Sequence, residues 1–334
     1  MARGTEDHEG DTMRILVTGS AGFIGFHTCL QLLKEGHEVW GLDSFTDYYD
    51  VKLKRNRQGW LRDDDRFTHV EADMTDHGVM QALVDQGHDY VIHLAAQAGV
   101  RHSLDQPQTY IDTNITGFLK VLEAIRHSPV PPKRLLYASS SSVYGSNTAM
   151  PFTEGERTDA PSNLYAASKK SNELMAESYG QLFGIRSTAM RFFTVYGPWG
   201  RPDMALFKFT KAVLEGSALQ LFNGGNHQRD WTYISDIVSG IMTIMSQDAE
   251  LADRDCFNLC SGQPIELKYF VSTIENLTDK PAFCDMLPLQ PGDIQATWGD
   301  NTKLRCLGWK PEVGIEQGIS KFITWYEKYY KENT

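Results

Sequence analysis

Tyr165 and Lys169 are the pair of residues in this chain best suited to acid–base chemistry. Side chains at positions i and i+4 of a helix share a face, so the ammonium group would lie beside the phenol. A neighbouring positive charge favours the phenolate and is expected to lower the pKa of Tyr165 toward neutrality. Such a phenol takes a proton from an alcohol being oxidised and returns it to a ketone being reduced. The same spacing also occurs on solvated helix faces, so its meaning depends on the surrounding elements.

A run of serines, from Ser139 to Ser142, follows a predicted strand over residues 134–139. Ligands of parallel sheets bind at the carboxyl ends of the strands. We expect Ser140 to lie near the phenol and to hydrogen-bond an oxygen of the substrate, with Ser142 as the alternative. The remaining hydroxyl groups would cap backbone groups where the strand ends.

A glycine-rich turn near the start of the chain indicates which kind of cofactor these residues work with. Residues 14–18 form an apolar predicted strand, and Gly19, Gly22 and Gly25 follow it. In a dinucleotide-binding turn, the first glycine permits a tight turn, the second lets the backbone approach a pyrophosphate, and the third lets the helix pack closely on the sheet. The spacing is one residue longer than the common G-x-G-x-x-G pattern, so the context of the turn has to support it.

That context is a helix over residues 23–36 and a second strand over residues 38–42 that leads into Asp43. The first helical turn, with Phe23 and Ile24, would direct free N–H groups at phosphates. A carboxylate at the end of the second strand accepts ribose hydroxyls and repels the 2′-phosphate of NADP, so we expect NAD. The alternative is a glycine turn in another α/β protein, with Asp43 as an ordinary turn residue.

Two later strand ends are also expected to contact the cofactor. Asp73 is placed to hydrogen-bond an adenine amino group, although it could equally cap a helix that begins near Met74. The small residues after a buried strand over residues 89–94 would let the backbone touch a flat ligand. The predicted contacts there are Leu94, Ala95 and Ala96.

Composition excludes several classes of function. The 334 residues carry a net charge of −11, and the basic stretch 52–57 is short, so binding to nucleic acid or to an anionic membrane is not expected. The five scattered cysteines indicate free thiols in a reducing compartment, and residues 1–12 lack the apolar core of a signal peptide. We therefore expect a cytoplasmic protein with a disordered head over residues 1–12, and no metal ion.

The predicted elements alternate between strand and helix, which is typical of a doubly wound parallel sheet of the Rossmann type. We expect a cofactor-binding domain over residues 13–193. A smaller α/β domain for the substrate would occupy most of residues 194–334, with some segments returning to the first domain. Between these landmarks the sequence indicates a loop over residues 45–66 and helices over residues 79–86, 106–128, 164–183 and 315–330.

Taken together, these motifs resemble the extended short-chain dehydrogenase/reductase superfamily, and within it the NAD-dependent epimerase/dehydratase family. The resemblance covers residues 13 to 330 and rests on the glycine turn, Asp43, segments 93–96 and 137–145, and the pair Tyr165 and Lys169. Segments 95–101, 164–175, 191–204, 229–233 and 289–293 are most similar to nucleotide-sugar 4-epimerases that act on UDP-glucuronate. A homodimer that pairs the helices beginning at Gln106 and Leu164 is implied by the same resemblance.

The resemblance also implies roles for individual residues. Ser140, Tyr165 and Lys169 would be catalytic, and Asn114 and Lys169 would lie near the nicotinamide. Arg229 would bind the UDP pyrophosphate with its planar guanidinium group, and Asp293 would contact the uridine ribose. Galactose-type epimerases generally have Asn at the position of Thr194 and Arg at the position of Gln290, and these differences disfavour UDP-glucose.

Thr194, Arg101 and Arg201 are the candidates for recognising a carboxylate at C6 of the sugar, because a hydroxyl and a guanidinium group together suit a carboxylate. The alternative for both arginines is a structural ion pair or a phosphate contact.

The expected reaction converts UDP-glucuronate to UDP-galacturonate through a transient 4-keto sugar, with Tyr165 as acid and base and with NAD recycled in place. The keto intermediate is a β-keto acid, so the site must hold the carboxylate rigidly to prevent loss of CO₂. The alternatives are a UDP-glucuronate decarboxylase, a 4-epimerase of a neutral UDP-hexose, and an NAD-sensing regulatory protein without catalysis.

Overall fold

A parallel sheet organises the structure, a computed structural model that describes residues 12–289 and 295–333. Nearly all of the predicted disordered head, together with Gln290 and Asp293, lies outside the described residues. Within the described residues the sheet has seven strands in the order β3-β2-β1-β4-β5-β6-β10. They are β1 Arg14–Thr18, β2 Glu38–Asp43, β3 Phe67–Glu71, β4 Tyr90–His93, β5 Arg134–Ser140, β6 Ser187–Phe192 and β10 Arg254–Leu259.

The strand order reverses between β1 and β4, which is the position where doubly wound sheets form a crevice for a ligand. Consecutive residues of β1 pack into different cores, because the faces of a strand alternate. Ile15 and Val17 belong to the larger apolar core, and Leu16 belongs to the core on the opposite face. Burial on both faces explains why the strand reads as a continuous apolar run.

Helices cover both faces of the sheet. They are α1 Phe23–Lys34, α2 Val51–Arg62, α3 Val79–Val84, α4 His102–Asp105, α5 Pro107–Tyr110, α6 Gly117–His127, α7 Leu164–Phe183, α8 Ala205–Glu215, α9 Ile234–Ser246, α10 Leu267–Thr278, α11 Thr302–Cys306 and α12 Ile315–Asn333. In the described part of the chain, none of them is long and apolar enough to cross a membrane.

Two sequence predictions were wrong at this level. The predicted loop over residues 45–66 contains α2, whose first turn is capped by the Asp50 carboxylate accepting from the Lys52 amide at 2.8 Å. The predicted helix over residues 106–128 is divided, because Pro107 begins a new helix and a π-helical turn, Ile111–Thr116, precedes α6. Helix α7 spans the predicted residues 164–183.

The remaining strands lie beyond the main sheet. Strand β9, Gln228–Tyr233, pairs with β7 Thr194–Tyr196, β11 Pro264–Glu266 and β13 Ala296–Thr297. A separate pair joins β8 Ala218–Phe222 to β12 Phe283–Leu287. Because β10 returns to the main sheet beside β6, the chain crosses between the two regions more than once.

Candidate active site

The glycine turn between β1 and α1 is fixed by contacts that leave no room for side chains. Gly19 has a φ of +73°, and a Cβ there would lie 2.8 Å from the Ala95 amide nitrogen. A Cβ on Gly25 would lie 2.0 Å from the Gly19 carbonyl oxygen. Gly22 is the N-cap of α1 and has no side chain to occupy the N–H groups of the first turn, which contains Phe23 and Ile24. The turn therefore fits the pyrophosphate of a dinucleotide.

Asp43 connects the end of β2 to this turn. Its carboxylate accepts from the Ala21 amide at 3.0 Å and from the Phe45 amide at 2.8 Å. Each carboxylate oxygen has a further lone pair, so the group retains capacity for a ribose hydroxyl.

Asp73 and Met74 follow β3. The Asp73 carboxylate was considered both for an adenine contact and for capping a helix. One Asp73 oxygen accepts from the Thr75 amide at 2.7 Å and from its hydroxyl at 2.6 Å, which closes a turn before α3. Met74 is buried against Gly117 at the start of α6. Contacts of these two residues with an adenine remain a prediction.

The segment after β4 lies beside the glycine turn. Leu94 and Ala95 donate from their amides to the backbone oxygen and the hydroxyl of Thr18, at 3.1 and 3.2 Å, and Ala96 follows them. Asn114, in the π-helical turn, holds the next residue: its side chain accepts from the Gln97 amide at 2.8 Å and donates to the Gln97 carbonyl at 3.0 Å. Its amide is thus engaged within the protein, and its proximity to a nicotinamide stays a prediction.

Tyr165, Ser140 and Lys169 meet at the carboxyl end of β5. The Ser140 hydroxyl lies near enough to the phenol of Tyr165 to lower its pKa, and Tyr165 lies in the first turn of α7. One turn further along, the buried Lys169 ammonium group donates to the Ala138 carbonyl at 2.9 Å, two residues before Ser140. The structure therefore places the three residues at one strand end, and their catalytic roles stay predictions.

The prediction that Lys169 lowers the pKa of Tyr165 toward neutrality was wrong for the protein chain on its own. Burial raises the pKa of Tyr165, and the influences that oppose this rise are the Ser140 hydrogen bond and the charge of Arg201. Burial also lowers the pKa of Lys169 to about 8, because the interior disfavours its charged form. The two residues lie one turn apart on α7, as the spacing predicted, but the Lys169 ammonium group is bound to a carbonyl of the adjacent strand.

The other serines of the run have separate roles. Ser139 donates its hydroxyl to Glu173 at 2.7 Å, and Glu173 also accepts two hydrogen bonds from Arg191 at 2.9 Å. The Ser142 amide donates to the Ser140 hydroxyl oxygen at 3.2 Å, so Ser142 closes the turn that presents Ser140. This arrangement agrees with Ser140 as the hydroxyl that faces the reacting group.

The two candidate arginines lie in different environments. Arg201 is partly buried, forms a two-point ion pair with Asp203, and is close enough to Tyr165 for its charge to act on the phenol. Arg101 is exposed, with its guanidinium group 4.7 Å from the centre of the Phe222 ring. Of the two arginines, Arg201 is the one whose charge acts on Tyr165 in the described part of the chain.

Thr194 and Arg229 belong to the second sheet. In the main sheet Ser140 lies beside Phe192, and Thr194 is two residues further along at the start of β7. Arg229 lies on β9 and donates to the Gln295 carbonyl at 3.0 Å. Asp293 lies outside the described residues, so its predicted contact with the uridine ribose stays a prediction.

Arg57 is a site residue that sequence reasoning missed. It is fully buried in α2 and donates to the Ala21 carbonyl at 2.9 Å and to the Tyr49 hydroxyl at 2.7 Å. It also donates to the carbonyls of Trp199 at 2.5 Å and Gly200 at 3.3 Å. The glycine turn and the segment before Arg201 are therefore joined through one cation. Recognising α2 as a helix would have placed Arg57 on its buried face.

The fold and the site define an α/β enzyme with a dinucleotide-binding turn and, at the carboxyl end of β5, a serine, a tyrosine and a lysine that suit acid–base chemistry. The chain belongs to the NAD dependent epimerase/dehydratase family, whose sequence model matches residues 15–260.

Several relatives that are similar over nearly all of this chain carry the name UDP-glucuronate 4-epimerase. The chain is 43% identical to the probable UDP-glucuronate 4-epimerase of Rhizobium meliloti, over 96% of this chain and 98% of that protein. It is 42% identical to UDP-glucuronate 4-epimerase 2 of Arabidopsis thaliana, over 95% of this chain and 76% of that one. Its fold matches the UDP-glucuronic acid 4-epimerase of Bacillus cereus, solved with UDP-glucuronic acid and NAD, with a TM-score of 0.90, 32% identity and coverage of 95% and 100%.

Proposed function

We propose that this protein is an NAD-dependent UDP-sugar 4-epimerase that interconverts UDP-glucuronate and UDP-galacturonate. The observation that carries the proposal is a group of three side chains at the carboxyl end of β5: the Tyr165 phenol, the nearby Ser140 hydroxyl and the buried Lys169 ammonium group. Relatives and solved structures named for this reaction support the choice of substrate.

The side chains of the site divide the proton chemistry between them. Tyr165 accepts the proton of the C4 hydroxyl and later returns it, and Ser140 hydrogen-bonds the C4 oxygen as it becomes a carbonyl. Lys169 supplies positive charge beneath the strand end. Bound NAD would accept the C4 hydride and give it back to the opposite face of the 4-keto sugar. Gly19, the first turn of α1 and Asp43 would hold the dinucleotide.

The substrate side of the proposal assigns Arg201 and Thr194 to the C6 carboxylate. Arg201 is favoured over Arg101 because its charge acts on Tyr165, whereas Arg101 stacks on Phe222. Arg229 would bind the pyrophosphate, with Asp293 at the uridine ribose.

The first experiment incubates the purified protein with UDP-glucuronate without added NAD and resolves the products by chromatography with mass detection. UDP-galacturonate, at unchanged mass, is the expected product, formed with a cofactor retained from expression. A product lighter by CO₂ would instead identify a decarboxylase. If neither forms even with NAD supplied, the proposed substrate is wrong, and UDP-glucose and UDP-N-acetylglucosamine would be tried next.

Replacement of the phenol gives the first prediction. Tyr165→Phe should abolish turnover while NAD binding persists, because only the proton-carrying oxygen is removed. The matched control is Tyr179→Phe, on the same helix, where the hydroxyl is bonded to Glu123 at 2.6 Å near the surface. Equal activity of the Tyr165 and Tyr179 variants would eliminate Tyr165 as the base.

We also propose that the protein is a cytoplasmic homodimer. Large apolar side chains of α6 and α7 are exposed, among them Leu174 at 59% and Leu182 at 69%, and a second copy would cover them. The five cysteines are all free thiols, as a reducing compartment maintains them. Light scattering of the purified protein should give twice the chain mass, and a monomeric mass would contradict the dimer.

A further inference from the structure

Arg201 is held by an ion pair that fixes the direction of its guanidinium group. Its Nε lies 3.0 Å from one Asp203 oxygen and its Nη2 lies 2.6 Å from the other. A two-point contact of this kind restrains a planar guanidinium in orientation as well as in position. Since the contact occupies the Nε–Nη2 edge, the Nη1 nitrogen is directed away from Asp203.

Asp203 is in turn held by Tyr48, which comes from the distant connection between β2 and α2. The Tyr48 hydroxyl donates to Asp203 at 3.2 Å, and the Tyr48 ring lies 5.7 Å from the Arg201 guanidinium. The same hydroxyl packs on Gly99, where a Cβ would lie 2.2 Å from it. Tyr48 therefore lies between the loop after β4 and the segment that contains Arg201. The Asp203 carboxylate is restrained by Tyr48 on one side and by Arg201 on the other.

The protonation states of Arg201, Asp203 and Tyr48 favour a stable ion pair between the first two. Burial opposes ionisation of Asp203, but the adjacent Arg201 cation outweighs it and lowers the pKa of that carboxyl. Burial and the neighbouring Asp203 carboxylate together raise the pKa of Tyr48 to about 12, so its hydroxyl stays protonated and able to donate. At neutral pH the three groups therefore form one charge-assisted chain that ends at Arg201.

We propose that Asp203, braced by Tyr48, is a positioning residue that aims Arg201 at the substrate carboxylate and thereby suppresses decarboxylation of the keto intermediate. The inference rests on the proposed function and deepens it. In the side reaction the C5–C6 bond breaks, its electron pair forms a C4–C5 enolate, and CO₂ leaves. A proton then adds at C5 to give a 4-keto pentose. A carboxylate held so that the C5–C6 bond stays out of line with the carbonyl π system does not follow this route.

The test compares Asp203→Asn with the wild-type enzyme on UDP-glucuronate, measuring kcat, KM and the ratio of decarboxylated to epimerised product. The asparagine retains the size of the side chain but cannot accept both guanidinium hydrogen bonds. We expect the decarboxylated fraction and KM each to rise roughly tenfold, since a small displacement of a positioning group has effects of this order or greater. Tyr48→Phe removes only the brace and should change the product ratio in the same direction by less.

A matched control exists in the same chain. Arg66 and Asp64 form an exposed pair with the same two distances, 3.0 and 2.6 Å, and Asp64→Asn should leave the product ratio and KM unchanged. If Asp203→Asn does not fold, Tyr48→Phe decides the matter alone. A wild-type product ratio in the folded variants would overturn the inference, even if their stability falls. A wild-type enzyme that does not convert UDP-glucuronate would instead contradict the proposed function itself.

Discussion

At the scale of the single residue, Gly25 is the position in the cofactor turn that tolerates a side chain least. A Cβ there would lie 2.0 Å from the Gly19 carbonyl oxygen, so the backbone itself would have to move. Gly25→Ala should lower the free energy of unfolding by about 1–3 kcal/mol, as overpacking does, and should reduce the NAD that copurifies with the protein. Urea denaturation and chromatography of the released nucleotide measure the two effects.

Gly59 is the control, since it lies in α2 with nothing within 4 Å of an added Cβ. Gly59→Ala should raise the free energy of unfolding by about 0.5–1 kcal/mol, because alanine loses less backbone entropy in a helix. Similar losses of stability in both variants would refute the steric argument.

At the scale of the element, the first turn of α7 sets the position of Tyr165, the proposed base. Asn163 is the N-cap, and its side chain accepts from the Ala166 amide at 2.9 Å. Asn163→Ala should lower the free energy of unfolding by about 1 kcal/mol and reduce kcat, because Tyr165 lies in the turn that loses its cap. Asn163→Asp retains an acceptor oxygen and should restore both values. An aspartate variant as impaired as the alanine variant would exclude capping as the cause.

Elements with a strong apolar pattern were predictable from the sequence, and polar elements were not. The central strands and α7 were predicted well because burial on both faces or a long helical period marks them. Helix α2 was missed because most of its residues are polar or charged, although its buried face recurs at Leu53, Arg57 and Leu61. The division of the helix before α6 was signalled by Pro107, which restricts the residue before it.

In the candidate site, too, some residues could be predicted from the sequence and others could not. Spacing in the sequence brought Tyr165 and Lys169 together, and the strand end brought Ser140. Local patterns do not reveal tertiary partners, so the pairing of Asp203 with Tyr48, which is 155 positions away, could not be predicted. For the same reason the sequence suggested that Lys169 faces the phenol, whereas a carbonyl of the adjacent strand holds its ammonium group.

At the scale of the whole molecule, buried histidines make stability depend on pH. Burial lowers the pKa of His27 and His88 to about 4 and that of His93 to about 3. Unfolded histidines titrate near pH 6.5, so below that pH the unfolded chain binds protons that the native protein does not. The free energy of unfolding should therefore fall with pH, by up to roughly 4 kcal/mol between pH 7 and 5.5 from these three groups.

Urea denaturation across this pH range measures the slope. Replacing His93 with Asn should make the slope shallower, because one proton-binding difference is removed, whereas replacing the exposed His77 with Asn should leave it unchanged. The same slope in wild type and in the His93 variant would show that other groups govern the pH dependence.

The contacts of Arg57 affect how rigidly two parts of the enzyme are joined. Its guanidinium group reaches the glycine turn on one side and the backbone of Trp199 and Gly200 on the other. Separating the two would leave the buried cation without the oxygen partners of one side, which carries a desolvation cost of about 1–3 kcal/mol or more. We therefore expect the glycine turn and the segment before Arg201 to keep a fixed distance from each other. An enzyme that removes a hydride and must return it to the same carbon gains from this stiffness, since the distance between donor and acceptor is preserved while the sugar turns over.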